Sequence, residues 1–248
     1  MTTLALVAGT GALELFPVEQ ERAIETDWGR PSAALARVDL GRAQAWLLAR
    51  HGRPHRIPPH RIDYRANMAA LATAGARHVI AINAVGSIDP ELRPGDLVLP
   101  DQLIDYTWGR RHTFSDSADE PLEHIEFAEP FAGPTRRALR AAAAAVGVDL
   151  YDGGCYGATQ GPRLETAAEI RRLAADGCTL VGMTAMPEAA LAREAGMDYA
   201  SLCVVANPAA GVGADAISIE AIHRVLDEAM GRVRRLLAAV RPDLLSEH

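Results

Sequence analysis

The chain has 248 residues, of which 49 % are hydrophobic and 23 % charged, enough for one large α/β domain over residues 1–248 with a filled core. Its formal net charge of −7 sets up no field for nucleic acid or an anionic membrane, and no apolar run approaches the length of a spanning helix. The sequence opens without a basic-then-apolar leader, and Cys155, Cys178 and Cys203 are widely spaced in apolar stretches; a cytoplasmic protein with reduced core thiols is expected, not a disulfide framework.

In chain order, Thr3–Ala8 is a short apolar run that predicts a buried strand ending in the tight turn Gly9-Thr10-Gly11. Residues 33–39 and 43–49 read as a hairpin around Leu40-Gly41-Arg42, followed by a proline-, arginine- and histidine-rich loop over 50–61. Residues 63–74 predict a helix with Gly75 past its end. A second buried strand at 78–83 runs into a turn at Ala84-Val85-Gly86-Ser87, and 95–106 supplies two short strands. Residues 115–130 are acidic and irregular, a surface excursion or lid. Then come a helix at 134–146, a strand at 151–158, a helix at 165–175 and a short strand at 180–183. A helix at 187–195, a buried strand at 199–206 and a long amphipathic helix at 217–240 close the chain.

This alternation predicts an α/β fold whose mixed, largely parallel sheet is covered by helices on both faces. Ligands gather beyond the carboxyl ends of such strands. That rule brings residues 9–11, 83–87, 183–184 and Asn207 into one neighbourhood.

The turn Gly9-Thr10-Gly11 can present backbone N–H groups and a hydroxyl to an anion, or be only a tight turn; Glu14 stands where a dinucleotide fingerprint needs its third glycine. Arg50-His51-Gly52-Arg53 pairs a planar guanidinium with an imidazole, a set suited to phosphate but also to a solvated basic loop. His51, His55 and His60 lack the cysteine or carboxylate partners of a metal site. In GATQGPRLETAAE, from Gly157 to Glu169, Gly161-Pro162 turns the chain and Glu165 arrives near the first turn of a helix. There it is either a dipole-favourable carboxylate or a base-reading group. Thr184, at a strand-to-helix turn, can cap the helix or bind an anion, and Met183 can simply fill core.

The segments AGTG, LLARHGRPH, YRANMAAL, NAVGSI, PGDLVLPDQLID, GPRLETAAEI, VGMTAMPEAALAREAG and ASLCVVAN occur in this order across nearly the whole chain. In them the chain resembles the trimeric purine nucleoside phosphorylase and methylthioadenosine phosphorylase family. The resemblance implies that family's three-layer fold and phosphorolysis of a purine nucleoside, with phosphate as co-substrate and neither metal nor organic cofactor. It implies a homotrimer with active sites near subunit interfaces, and no nucleic-acid or membrane partner. It would place Thr10, Arg50, His51, Ala84 and Thr184 around the phosphate with Asn83 nearby, Met183 against the ribose, and Glu165 and Asn207 on the purine.

An ionised Glu165 accepts a hydrogen bond from the N1–H of a 6-oxopurine, whereas adenine would turn a lone pair toward it. The Asn207 amide can donate to O6 and accept from a protonated N7. The adenine-using branch carries a serine where Glu165 stands and two aspartates where this chain has Asn207 and Ala209. At the 5′ end, the segment around His124 resembles the methylthio-using branch, in which that histidine reaches a neighbouring subunit's pocket, and Ile219 falls where a methylthio group is received. His223 could instead align with a histidine that binds a free 5′-hydroxyl. The reading favoured is 5′-methylthioinosine phosphorolysis, with an inosine/guanosine phosphorylase as the alternative and a methylthioadenosine phosphorylase behind it. From other classes, a nucleotide-binding oxidoreductase and a non-catalytic purine-binding protein remain, and a nucleoside hydrolase is the nearer rival.

Overall fold

The long strands β5 (Ala76–Ser87) and β11 (Asp198–Pro208) lie side by side in parallel at the centre of a mixed sheet. The computed structural model describes residues 3–9, 11–116, 122–213 and 218–245. One arm of the sheet runs from β5 through β1 (Thr3–Ala8) and β4 (Gln44–Ala49) to β3 (Leu35–Asp39) and the edge strand β2 (Val18–Arg22). Another runs from β5 through β10 (Leu180–Gly182) and β9 (Cys155–Ala158) to β7 (Gln102–Asp105), while β6 (Leu97–Leu99) and β8 (Tyr151–Asp152) extend from β11.

Strand alternation sorts the apolar residues onto two faces. Leu4, Leu6, Ile80, Ile82, Leu202 and Val204 pack under the helices α2 (Pro134–Val146) and α5 (Ile219–Ala238). Their neighbours Ala5, Val7, Val79, Ala81, Cys203 and Val205 pack under α1 (Tyr64–Thr73) and α4 (Ala185–Glu194). The fifth helix, α3 (Ala167–Ala175), buries Ile170 and Leu173 in a smaller cluster with Ile88, Cys178, Val181 and Ala209. The result is the α/β sandwich expected from the sequence.

Several boundaries differ from those expectations. Residues 84–87 are not a turn, because β5 continues through Ser87 with β11 along its whole length. The single strand expected at 151–158 is two, broken at Gly153 and Gly154, both with positive φ. Glu165 does not belong to a helical turn: Thr166 is the N-cap, closing a reciprocal capping box with Glu169, and α3 begins after it. Strand β2 has every residue exposed, so no apolar alternation announced it.

A gap along one edge of β5 positions the site. On one edge, β1 pairs in parallel as far as Ala8 opposite Ile82, and β10 pairs antiparallel from Val181 opposite Gly86. Between them, residues 83–85 meet no strand on that edge. The Ile82 carbonyl accepts from the Gly9 N–H at 3.2 Å, so Ile82 faces this edge. Two residues on, Ala84 directs its own N–H and C=O into the opening.

Candidate active site

A cavity of about 360 Å³ occupies the opening. Its walls bring together Arg50, His51, Ala84, Met183, Thr184, Glu165, Asn207, Ala209 and Ile219, which the sequence scatters over 170 positions from Arg50 to Ile219. Gly9 closes one side. A Cβ on it would stand 2.9 Å from the Ile82 oxygen and 3.0 Å from Arg50 Nη1, so only glycine lets β1 end this close to the guanidinium.

Arg50 follows β4 directly and is fully buried, far from the solvated basic loop that its neighbourhood in sequence also allowed. Its Nε donates to Glu188 Oε2 at 2.7 Å and its Nη2 to Oε1 at 2.8 Å, a bidentate pair with both side chains out of water. Tyr199 donates to the same Glu188 oxygen at 2.9 Å. Burial alone would lower the Arg50 pKa, but Glu188 overrides this and holds it above its ordinary value, so the guanidinium is a permanent cation. The fork toward Glu188 uses Nε–H and one Nη2–H, which leaves Nη1 on the Gly9 side.

His51 carries a different charge state. Its Nδ1 lies 2.7 Å from the Ile57 carbonyl, which can only accept, so Nδ1 holds the proton. Burial, then the neighbouring Arg50 charge, push its pKa down to about 4. The ring stacks on His55 with centroids 4.2 Å apart. His51 is thus neutral at pH 7, with an Nε2 lone pair able to accept from a P–OH group.

Thr184 sits just before α4, but its side chain makes no capping hydrogen bond; Oγ1 instead donates to Asn83 Oδ1 at 3.1 Å. Asn83 in turn donates to Ser201 Oγ at 2.7 Å. Asn83 is buried behind the cavity wall, so it orients Thr184 and does not line the space itself.

On the far side, Glu165 is half-buried and its Oε1 accepts from the Thr159 hydroxyl at 2.6 Å, which leaves Oε2 for a ligand donor. Gly161 has φ of 58°, and a Cβ there would collide with Met183 Sδ; the turn holds Met183 against the loop that carries Glu165. Asn207 follows a register shift in β11 that re-aims it, and its Nδ2 donates to the Pro208 carbonyl at 2.6 Å. One amide N–H and Oδ1 remain available. Ala209, buried beside Gly86, gives this wall no charge.

Ile219 and Ile222 line the cavity at the start of α5, whereas His223 lines an adjoining cleft with His55, Glu14 and Asp227. His124 is exposed and does not reach the cavity of its own chain. Thr10 lies outside the described residues. Among the described residues no three histidine, cysteine or carboxylate groups cluster as metal ligands, and no helix is long and apolar enough to cross a membrane.

Sequence reading passed over Glu188, Thr159 and Tyr199. Each sits in an ordinary-looking segment and acts on a partner brought by the fold, Glu188 across 138 residues. A glutamate with no exposed face, one turn into an apolar helix, was the one signal available.

The chain matches the Phosphorylase superfamily over residues 3–241. It is 47 % identical over 242 residues to a probable S-methyl-5′-thioinosine phosphorylase of Pseudomonas syringae pv. tomato, covering 97 % of this chain and 98 % of that protein. It is 40 % identical over 249 residues to the 6-oxopurine nucleoside phosphorylase of Pyrococcus furiosus, covering 98 % and 93 %. In structure it is similar to methylthioadenosine phosphorylase from Schistosoma mansoni in complex with adenine, with a TM-score of 0.90, 33 % identity and coverage of 97 % and 91 %. An open strand edge lined by a buried arginine, a neutral histidine and a held carboxylate thus sits on a chain that belongs to the Phosphorylase superfamily.

Proposed function

We propose that this chain cleaves 5′-methylthioinosine with phosphate, giving hypoxanthine and 5-methylthioribose 1-phosphate. The observation that carries the reading is the Glu165 carboxylate, held at one oxygen by Thr159 and facing the same cavity as Asn207, Arg50 and His51. Phosphate sits among Thr10, Arg50, His51, Ala84 and Thr184, and the ribose packs on Met183. As the C1′–N9 bond breaks, its electrons pass to the purine, C1′ gains oxocarbenium character, and an oxygen of monohydrogen phosphate held on the ribose face away from the base forms the new bond, the phosphate's proton passing to the purine. The protein supplies no nucleophile, and no pair of glycosidase carboxylates is needed. Glu165 accepts from N1–H and Asn207 Oδ1 from a protonated N7, so that the leaving base is stabilised as charge arrives on it. Adenine would place a lone pair against Glu165, so the adenine-binding relative is a guide to fold and not to the base.

Ile219 and Ile222 on the cavity wall support a methylthio group at 5′. His223 supports the second reading, a free 5′-hydroxyl in inosine or guanosine, but it faces the adjoining cleft. The assembly we propose is a homotrimer in which His124 completes the 5′ pocket of a neighbouring copy. Exposed Trp108 (72 %), before the 115–130 excursion, and Leu122 (70 %), two residues from His124 within it, support a covered surface there. Phosphate is a co-substrate and neither metal nor organic cofactor takes part. Three free cysteines support a cytoplasmic location.

The test is phosphate-dependent cleavage of 5′-methylthioinosine, inosine, guanosine and 5′-methylthioadenosine side by side, with sedimentation to read the assembly. Methylthioinosine is expected to be cleaved best and methylthioadenosine not at all. Preference for inosine or guanosine would shift the 5′ assignment to His223. Efficient cleavage of methylthioadenosine would overturn the roles of Glu165 and Asn207, and turnover without phosphate would make the chain a hydrolase.

A further inference from the structure

Arg110 lies in the loop after β7, outside the cavity wall, and donates to the backbone carbonyls of two segments that border the site. Its Nη1 donates to the carbonyl oxygens of Met183 at 2.9 Å and Met186 at 2.6 Å, with the Tyr64 hydroxyl at 3.2 Å. Its Nη2 donates to the carbonyl oxygens of Thr159 at 3.2 Å and Gln160 at 2.8 Å, and its Nε to Gln160 Oε1 at 3.2 Å. The guanidinium stands 5.4 Å from the Tyr64 ring centre. Every one of these acceptors is neutral. The cation therefore holds backbone in place by charge–dipole bonds from a planar fork, a task for which an ammonium has the wrong shape.

The two segments it joins serve opposite ends of the cavity. Residues 183–186 carry Met183 and Thr184, on the ribose and phosphate side. Thr159 and Gln160 begin the loop to Glu165, and the Thr159 hydroxyl holds that carboxylate. We propose that Arg110 is a positioning residue that sets the distance between the phosphate side and the purine side of the site, by clamping both segments from behind. The proposal rests on the reading of the cavity given above. The β9–β10 ladder and the Thr159 N–H, which donates to the Gly182 carbonyl at 2.8 Å, fix the roots of both segments, and Arg110 sets their spacing beyond that point. Without it the site loses affinity for both substrates, although Arg110 touches neither. Simple destabilisation would lower the active fraction, hence the apparent kcat, and leave both KM values alone.

The experiment compares Arg110→Ala and Arg110→Lys with the wild-type enzyme, on whichever nucleoside the wild type cleaves best. An error in the purine or 5′ assignment then appears in the wild type, and an error about Arg110 only in the ratio. The expected result is a rise of at least tenfold in KM for phosphate and for the nucleoside together in Arg110→Ala. Added methylguanidine should restore part of both, and lysine should recover little. Phosphate affinity read alone by calorimetry tests the 183–186 contacts without any nucleoside. If Arg110→Ala does not fold, the paired rise is read from Arg110→Lys. A folded variant with both KM values within threefold of wild type, or with only one of them moved, overturns the proposal.

Discussion

Glu188 and Arg50 set the electrostatics of the site more than any exposed charge does. A bidentate pair with both members out of water is costly to assemble and far more costly to halve, since the survivor is an unpaired buried ion. Glu188→Ala is expected to lower the unfolding free energy by about 3–5 kcal/mol, read from urea denaturation, and to weaken phosphate binding by releasing the guanidinium from its fixed plane. His51 makes a prediction with a definite sign. Its pKa falls from 6.5 in the unfolded chain to about 4 in the folded one, so above pH 6.5 its contribution to stability is constant. Between pH 6.5 and 4 the unfolded chain takes up the proton first, and that contribution is lost as pH falls. Melting temperatures of wild type and His51→Gln, followed across this window, should converge toward the acid end. Glu165→Gln replaces one acceptor oxygen by a donor, and a drop of about 10²-fold in kcat/KM for the 6-oxopurine nucleoside is expected from steady-state kinetics.

Helix α3 shows how an element serves a site that it does not enter. Its capping box, Thr166 with Glu169, fixes the chain direction immediately after Glu165. Thr166→Ala should cost about 1 kcal/mol in chemical denaturation, with the Glu165 loop losing order before the sheet does. The elements that could be read in the sequence were those whose burial leaves an apolar pattern. β1, β5 and β11 are near-continuous apolar runs because their alternate side chains enter two covered layers, and α2 and α5 bury one stripe each. β2 could not be read because its ladder to β3 is made by backbone alone while its side chains face solvent. The end of β5 was misread for a related reason: glycine and serine there resemble a turn, and it is the partner strands β11 and β10, one on each edge, that keep them extended. The same limit applies to the site. Arg50, His51, Glu165 and Asn207 stand in recognisable motifs, but Glu188 and Arg110 act on groups far away in sequence, and no local pattern encodes such pairing. Thr159 reaches Glu165 only six residues on, through a turn that the residue types did not reveal.

At the scale of the molecule, the cavity draws walls from both arms of the sheet and from the start of α5, so a ligand that fills it ties distant parts of the chain together. Phosphate binding only the folded protein should raise stability by about 2.7 kcal/mol at a concentration of 100 times its Kd, visible as a concentration-dependent rise in melting temperature. Hypoxanthine added with phosphate should raise it further.

The gap on the edge of β5 can be seen as a missing rung in an otherwise continuous ladder. β1 supplies the rungs below it and β10 those above, with opposite strand directions, so no polypeptide can span the space without reversing. A tetrahedral oxyanion has no direction to reverse. It can stand in for the absent strand, giving the Ala84 amide an acceptor where no described strand pairs with it. In hydrogen exchange, that single amide should go from unprotected to protected when phosphate is added, while the amides bonded to β11 on the opposite edge exchange as slowly as before.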